Sequence, residues 1–237
     1  MNAFKFISVT IISLIVAFAL YPVTELGDSD ALKQITPIEL ADKLYLASVV
    51  VTTLNASDTT GGNISSQGSG FVISSDGYII TNSHVIADSE LIMVWIKFEG
   101  TDYVNYPAEL IIQDPIADLA ILKVAIATPN FLHLAPAGTQ LKRGEFAACM
   151  STPYGLVGTF TTGIISALRP NDKLTHRIQT TVPVSPGSSG SALVNSYAEV
   201  VGVVIGVLNQ GRAQSMNVAV SVDEVHRLIK ESKLKIK

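Results

Sequence analysis

Pro186-Gly-Ser-Ser-Gly-Ser-Ala-Leu193 interrupts an otherwise Val/Ile-rich half of the chain with a run of small residues. A serine hydroxyl is a weak nucleophile at neutral pH, so a loop that uses one must expose it beside a base and aim backbone N–H groups at the developing oxyanion. Gly187 and Gly190 suit that task, because glycine enters conformations closed to other residues and leaves room for a carbonyl against the main chain. Ser189 is the candidate nucleophile. An ordinary Gly/Ser turn reads the same way in isolation. The stretch therefore decides the fold only if a base and an orienting carboxylate lie elsewhere in the chain.

The base needs a side chain that changes protonation near neutral pH, which histidine does. Of His84, His133, His176 and His226, His84 is the best placed. Gly70–Ser74 and Tyr78–Asn82 flank Ser75-Asp-Gly77, a hairpin signal, and His84 follows the second strand, where a strand end can fix its ring. Asp118 opens the apolar run Leu119–Val124; a carboxylate there either caps a turn or faces an internal donor such as His84. His226 lies off the apolar stripe of the last helix, which makes it a solvated histidine.

At 237 residues with 48% hydrophobic and 15% charged residues, the chain is long enough to bury a substantial core. A net charge of −4 without a basic block excludes a phosphate-tracking surface, so no nucleic-acid partner is expected. Cys149 is the only cysteine, which excludes an intrachain disulfide, and its apolar setting, Phe146–Met150, makes it a buried structural thiol. The histidines lack ligand spacing. Neither metal nor cofactor is expected.

Phe6–Val23 is an uncharged run of 18 residues behind Lys5, which implies export or membrane insertion, with the chain beyond about residue 25 on the non-cytoplasmic side. Because Leu20–Val23 continue the apolar run, residues 1–25 read as a retained anchor. The alternative is a signal peptide cut near Ala17-Phe18-Ala19, which makes the protein secreted. Residues 26–35 are a linker. Thr36-Pro-Ile-Glu39 starts a short helix through about Tyr45 as a capping box, a strand spans Leu46–Leu54, and Asn55–Gln67 is a polar surface loop that holds the sequons beginning at Asn55 and Asn63. Many short strands lie on both sides of a Pro/Gly joint at Thr128–Lys142. Ser221-Val-Asp-Glu224, a second capping box, opens a final helix over about 222–233. This is an all-β barrel or sandwich pattern with two peripheral helices.

Three blocks carry a more specific likeness: Gly68-Ser-Gly-Phe-Val-Ile73 with Gly77-Tyr-Ile-Ile-Thr-Asn-Ser-His-Val85, then Asp114-Pro-Ile-Ala-Asp-Leu-Ala-Ile-Leu-Lys123, then Pro186–Asn195. In this order they resemble the signature blocks of the HtrA/DegP family of trypsin-like serine proteases, over about residues 36–232. The order His, Asp, Ser is that of the chymotrypsin-like fold. The resemblance implies a chymotrypsin-like double β-barrel in a domain over 36–234, with barrel one at about 46–126, barrel two at about 140–220 and the active site in the cleft between them. It makes His84 the general base, Asp118 its orienting partner and Ser189 the nucleophile. Gly187, Ser188 and Ser189 form the oxyanion hole, with the N–H groups of Gly187 and Ser189 as donors. It also implies unfolded or misfolded exported proteins as substrates, and a homotrimer.

The sequence departs from the family at Ser191, where a second glycine is usual, and at Thr181 and Ser185. Ser188 differs from the aspartate of digestive proteases, so activation by a newly cut N-terminus is not expected. The sequence ends about a turn past the family's last protease-domain helix, and no PDZ domain is expected. No acid lies in Thr180–Ser185 to hold a basic side chain. Pro183, Val204, Ile205 and Gly206 are the expected substrate pocket, for small or medium aliphatic side chains. The rival to a protease is a catalytically silent barrel that binds unfolded chains at the membrane.

Overall fold

The computed structural model describes residues 33–54, 64–87, 89, 91–170, 176–207, 216–234 and 236, within one compact unit, Lys33–Lys237. The apolar segment at 6–23, residues 26–32 of the linker and both sequon asparagines lie outside the described residues. Among the described residues, no helix is long and apolar enough to cross a membrane.

Helix α1 (Pro37–Ala47) begins at the expected capping box: the Thr36 N–H donates to Glu39 Oε2 at 2.8 Å, and Thr36 Oγ1 accepts from the Glu39 N–H at 3.3 Å. Barrel one comes next, from β1 (Ser48–Leu54), β2 (Ile64–Val72), β3 (Tyr78–Thr81), the single-turn helix α2 (Ser83–Ile86), β4 (Leu91–Lys97), β5 (Tyr103–Asp114) and β6 (Leu119–Val124). Its six strands close in the order β1-β2-β3-β6-β5-β4, with β4 paired back to β1. Gly77 makes the β2–β3 connection possible. It has φ +97°, and a Cβ there would sit 2.6 Å from the Val124 carbonyl oxygen.

A two-residue strand, β7 (His133–Leu134), lies in the joint between the barrels. Barrel two contains β8 (Phe146–Ser151), β9 (Thr159–Pro170), β10 (His176–Thr180), β11 (Ala192–Val194), β12 (Glu199–Val207) and β13 (Asn217–Ser221), and α3 (Val222–Glu231) comes after it. These strands run β11-β8-β9-β10-β13-β12, and β12 pairs with β11 to close the ring. The double barrel expected from the sequence is the fold.

Several local expectations need correction. Ile64–Gln67 are not loop but the start of β2, because β1 supplies a ladder to them, with Leu54 opposite Ile64 and Thr52 opposite Gln67. A polar segment stays extended when its backbone is paired. β7, unseen in the sequence, forms because β12 pairs with it in parallel, with Glu199 opposite His133 and Val200 opposite Leu134. β5 is a long strand that contains a proline. Its Pro107 is tolerated because Tyr103–Pro107 pair only with β4, and pairing with β6 begins at Ala108. At α3, Ser221 caps the Asp223 N–H at 3.3 Å, but Glu224 does not complete a capping box. Its carboxylate is buried and engaged by Arg227 Nε at 2.9 Å. His226 is not a solvated histidine: its Nε2 is 2.8 Å from the Ala135 carbonyl oxygen in a partly buried site.

Candidate active site

The end of β3 delivers the histidine. Asn82, extended at φ −85° and ψ 149°, turns the chain into α2 and puts His84 at its second residue. Its side chain is about half exposed, at 49%. A carboxylate meets it from the β5–β6 turn. Asp118 Oδ2 lies 2.8 Å from His84 Nδ1, and its Oδ1 accepts the His84 N–H at 2.9 Å. This double contact fixes the ring and assigns the proton to Nδ1, which makes Nε2 the acceptor nitrogen, and among the described residues Nε2 makes no hydrogen bond.

Asp118 holds an unusual backbone conformation to do this, with φ +61°. For a residue with a Cβ that region costs about 1 kcal/mol, so neighbouring bonds must hold it. Asn82 Nδ2 donates to the Asp118 carbonyl at 2.7 Å. Asp114 Oδ1 accepts the N–H groups of Ile116 at 2.8 Å and Ala117 at 3.1 Å, closing the turn that precedes Asp118. Arg227 of α3 in turn grips Asp114 Oδ2. Partial burial pushes the Asp114 carboxyl up, but the Arg227 guanidinium and the two N–H donors outweigh it and hold the group below the usual carboxylate range. The sequence singled out none of Asn82, Asp114 or Arg227 for this role. Asn82 and Asp114 lie inside the quoted blocks, but Arg227 is reached only through the fold.

The Pro186–Ser191 loop belongs to barrel two and meets barrel one at Gly68, whose missing Cβ would lie 2.6 Å from Val85 Cγ2 and 3.0 Å from the Ser189 carbonyl oxygen. The loop's four successive carbonyls are all held. Pro186 O accepts from Tyr154 N at 2.9 Å and Gly187 O from Ser69 Oγ at 2.8 Å. Ser188 O accepts from Ser191 N at 3.1 Å and Ser191 Oγ at 2.8 Å, and Ser189 O from Ser69 N at 2.8 Å. In a trans peptide the N–H points away from the carbonyl. The N–H groups of Gly187 and Ser189 thus face away from these anchors, and among the described residues neither donates a hydrogen bond. Two unbonded N–H groups flanking a serine can receive an oxyanion.

Burial separates the three serines of the loop. Ser188 and Ser191 are closed off from solvent, with Ser188 Oγ donating to Ser151 Oγ at 3.2 Å, whereas Ser189 is partly exposed. The Ser189 hydroxyl donates to the Ile205 carbonyl at 2.7 Å, and among the described residues no hydrogen bond joins it to His84. The structure therefore brings His84 and Asp118 together and shows Ser189 with its hydroxyl turned toward β12. Of the expected pocket residues, Pro183 is exposed, Ile205 is partly buried and Gly206 has open space at its Cβ position. Val204 requires correction: it is wholly buried in the core, since its N–H and carbonyl bond Ser191 and Gly190 and its side chain packs inward.

The family described as the trypsin-like peptidase domain matches residues 68–203, which contain the triad candidates and the nucleophile loop. The chain belongs to that family. A probable periplasmic DegP-like serine endoprotease of Pseudomonas fluorescens is 43% identical over 141 residues, covering 58% of this chain and 29% of that protein. The corresponding protein of Pseudomonas putida is 36% identical over 177 residues, covering 71% and 36% respectively. The chain thus spans about a third of the length of these curated relatives. Among solved structures, a serine endoprotease from Yersinia pestis superposes with a TM-score of 0.70 at 27% identity, over 84% of this chain and 66% of that one. The HtrA-type protease AlgW, in a substituted form with a tripeptide, gives 0.72 at 24% identity over 83% and 63%, a likeness of fold.

Proposed function

We propose that the chain is a serine endopeptidase of the HtrA type, exported from the cytoplasm, that hydrolyses peptide bonds of unfolded or misfolded proteins. The observation that carries this is the pairing of a carboxylate-oriented imidazole with a serine loop whose carbonyls at 186–189 are held, while among the described residues its Gly187 and Ser189 N–H groups donate no hydrogen bond.

In the reaction, the Ser189 hydroxyl leaves the Ile205 carbonyl by rotation of its side chain and gives its proton to His84 Nε2 as Oγ attacks the substrate carbonyl. Asp118 stabilises the imidazolium through Nδ1–H. The negative charge that develops on the carbonyl oxygen meets the Gly187 and Ser189 N–H groups, and His84 then protonates the leaving amine. The vacated Ile205 carbonyl is free to accept an N–H of the extended substrate. The side-chain site formed by Pro183, Ile205 and Gly206 carries no acid, which favours cleavage after small or medium aliphatic residues. A cleavage profile restricted to Lys and Arg would refute that preference.

Tethering through the apolar segment at 6–23 and assembly as a homotrimer complete this reading, on the strength of that segment's composition and of the family resemblance. Light scattering of the purified chain tests the trimer. The resting bond from Ser189 to Ile205 favours a second reading, a barrel that binds unfolded chains without cutting them. The deciding experiment is digestion of unfolded β-casein by the full chain and by Ser189→Ala, with a fluorophosphonate probe alongside. Cleavage and labelling by the parent, both lost in the variant, establish the protease. An intact substrate and an unlabelled parent establish the binding module.

A further inference from the structure

We infer that Ser69, reaching from barrel one, is a positioning residue for the free N–H groups of the nucleophile loop; this rests on the protease reading given above. Ser69 is buried, with 1% of its surface exposed, and both its main chain and its side chain are committed across the barrel boundary. Its N–H donates to Ser189 O at 2.8 Å and its hydroxyl to Gly187 O at 2.8 Å. The hydroxyl's direction is forced. Ser69 Oγ already accepts the Thr152 N–H at 3.1 Å, so its single proton goes to Gly187 O.

These two bonds fix the peptide planes 187–188 and 189–190. The plane between them carries the Ser189 N–H, and the plane before them carries the Gly187 N–H. Tyr154 N and Ser191 hold the carbonyls of those two planes, and Ser69 locks the planes next to them, so one residue of β2 limits how far both donors can turn. Gly68 lets it approach so closely, since a Cβ at position 68 would stand 3.0 Å from Ser189 O. The Gly68-Ser69-Gly70 block has in this contact a physical reason for its serine. Removing the hydroxyl leaves Gly187 O and Thr152 N without these partners in a buried site, and the 187–188 plane is then held only at its other edge, by the Ser188 N–H bond to Ser185 O at 2.9 Å.

The test uses the full chain and its Ser69→Ala variant, with three readouts: the amide NMR signals of Gly187 and Ser189, the deshielded Nδ1–H signal of His84, and the rate of Ser189 labelling by a fluorophosphonate. In the alanine variant both amide signals are expected to move and labelling to slow about tenfold or more, since each oxyanion donor is typically worth ~10²–10³ in rate. The His84 signal stays in place, which separates this effect from general loosening. Ser69→Cys, with a weaker donor of similar size, gives intermediate shifts and carries the test if the alanine variant does not fold. Amide signals at their parent positions, labelling within about twofold of the parent, or a His84 signal that moves with the others overturns the inference. If the parent itself is unlabelled, it is the protease reading that fails, and the amide signals still decide whether Ser69 holds the loop.

Discussion

Gly190 and Ser191 are adjacent small residues with opposite requirements. Gly190 has φ +92°, and a Cβ there would lie 2.0 Å from Ser69 O and 2.6 Å from Thr81 Oγ1. The first of these is backbone and cannot step aside, so Gly190→Ala is expected to cost more than about 3 kcal/mol and to abolish casein cleavage. Ser191 needs no left-handed backbone, and its hydroxyl donates to Ser188 O at 2.8 Å, steadying the plane that carries the Ser189 N–H. Restoring the family's glycine there is expected to lower stability by about 1–2 kcal/mol and to slow Ser189 labelling only a few-fold, because Ser191 N still holds Ser188 O at 3.1 Å. Urea melts and labelling rates of the two variants, measured together, check both halves, and equal losses would contradict this account. The sequence made the glycines legible, since only glycine serves a tight loop against a neighbouring backbone. It could not show that Ser191 replaces conformational freedom with a hydrogen bond, because that depends on where Ser188 O points.

α3 acts on the site as an element through Arg227. The apolar stripe Val222, Val225 and Leu228 is buried as the helical period requires, and that face was readable in the sequence. The polar face was not. Arg227 joins Asp114, Glu224 at 2.9 Å and Glu231 at 2.8 Å, and the partner in β5 is 113 residues away. Because Asp114 also closes the turn before Asp118, Asp114→Asn and Arg227→Gln should each slow Ser189 labelling, while the double variant loses much less than the sum. Each single change is expected to cost about 1–2 kcal/mol of stability at neutral pH, as for a partly exposed charged hydrogen bond. The pH dependence has a definite sign. The Asp114 carboxyl is held below its usual range in the folded state, so its contribution is present above the unfolded carboxylate pKa and lost as pH falls through the folded value. The melting temperature of the parent should therefore fall more steeply than that of Asp114→Asn as the solution is acidified through the carboxylate range. Parallel slopes, or additive variants, would show that Arg227 and Asp114 act separately.

Across the whole molecule, the two barrels share a core. β3 and β6 are apolar on both faces. Ile79, Ala120, Leu122 and Val124 fill barrel one, while Ile80, Leu119 and Ile121 point outward and pack with Leu40 and Leu44 of α1 and with Ala147–Met150, Leu193 and Val203 of barrel two. The run Leu119–Val124 could be read as a strand from its composition, but an unbroken apolar run does not say what covers each face. That depends on barrel closure. A dry core common to both barrels should make them unfold together. The chain supplies one probe for each barrel. Trp95, the only tryptophan, lies on β4 and donates to Thr52 Oγ1 at 3.2 Å in barrel one. Cys149, the only cysteine, is wholly buried on β8 in barrel two, and burial pushes its thiol up to about 11, so only about one thiol in a thousand is ionised at pH 8. Native Cys149 should resist pulses of iodoacetamide, and its labelling in urea should appear at the same midpoint as the change in Trp95 emission. Cys149 labelling at a clearly lower urea concentration would mean that barrel two opens alone, and that the contacts between the barrels are too weak to couple them.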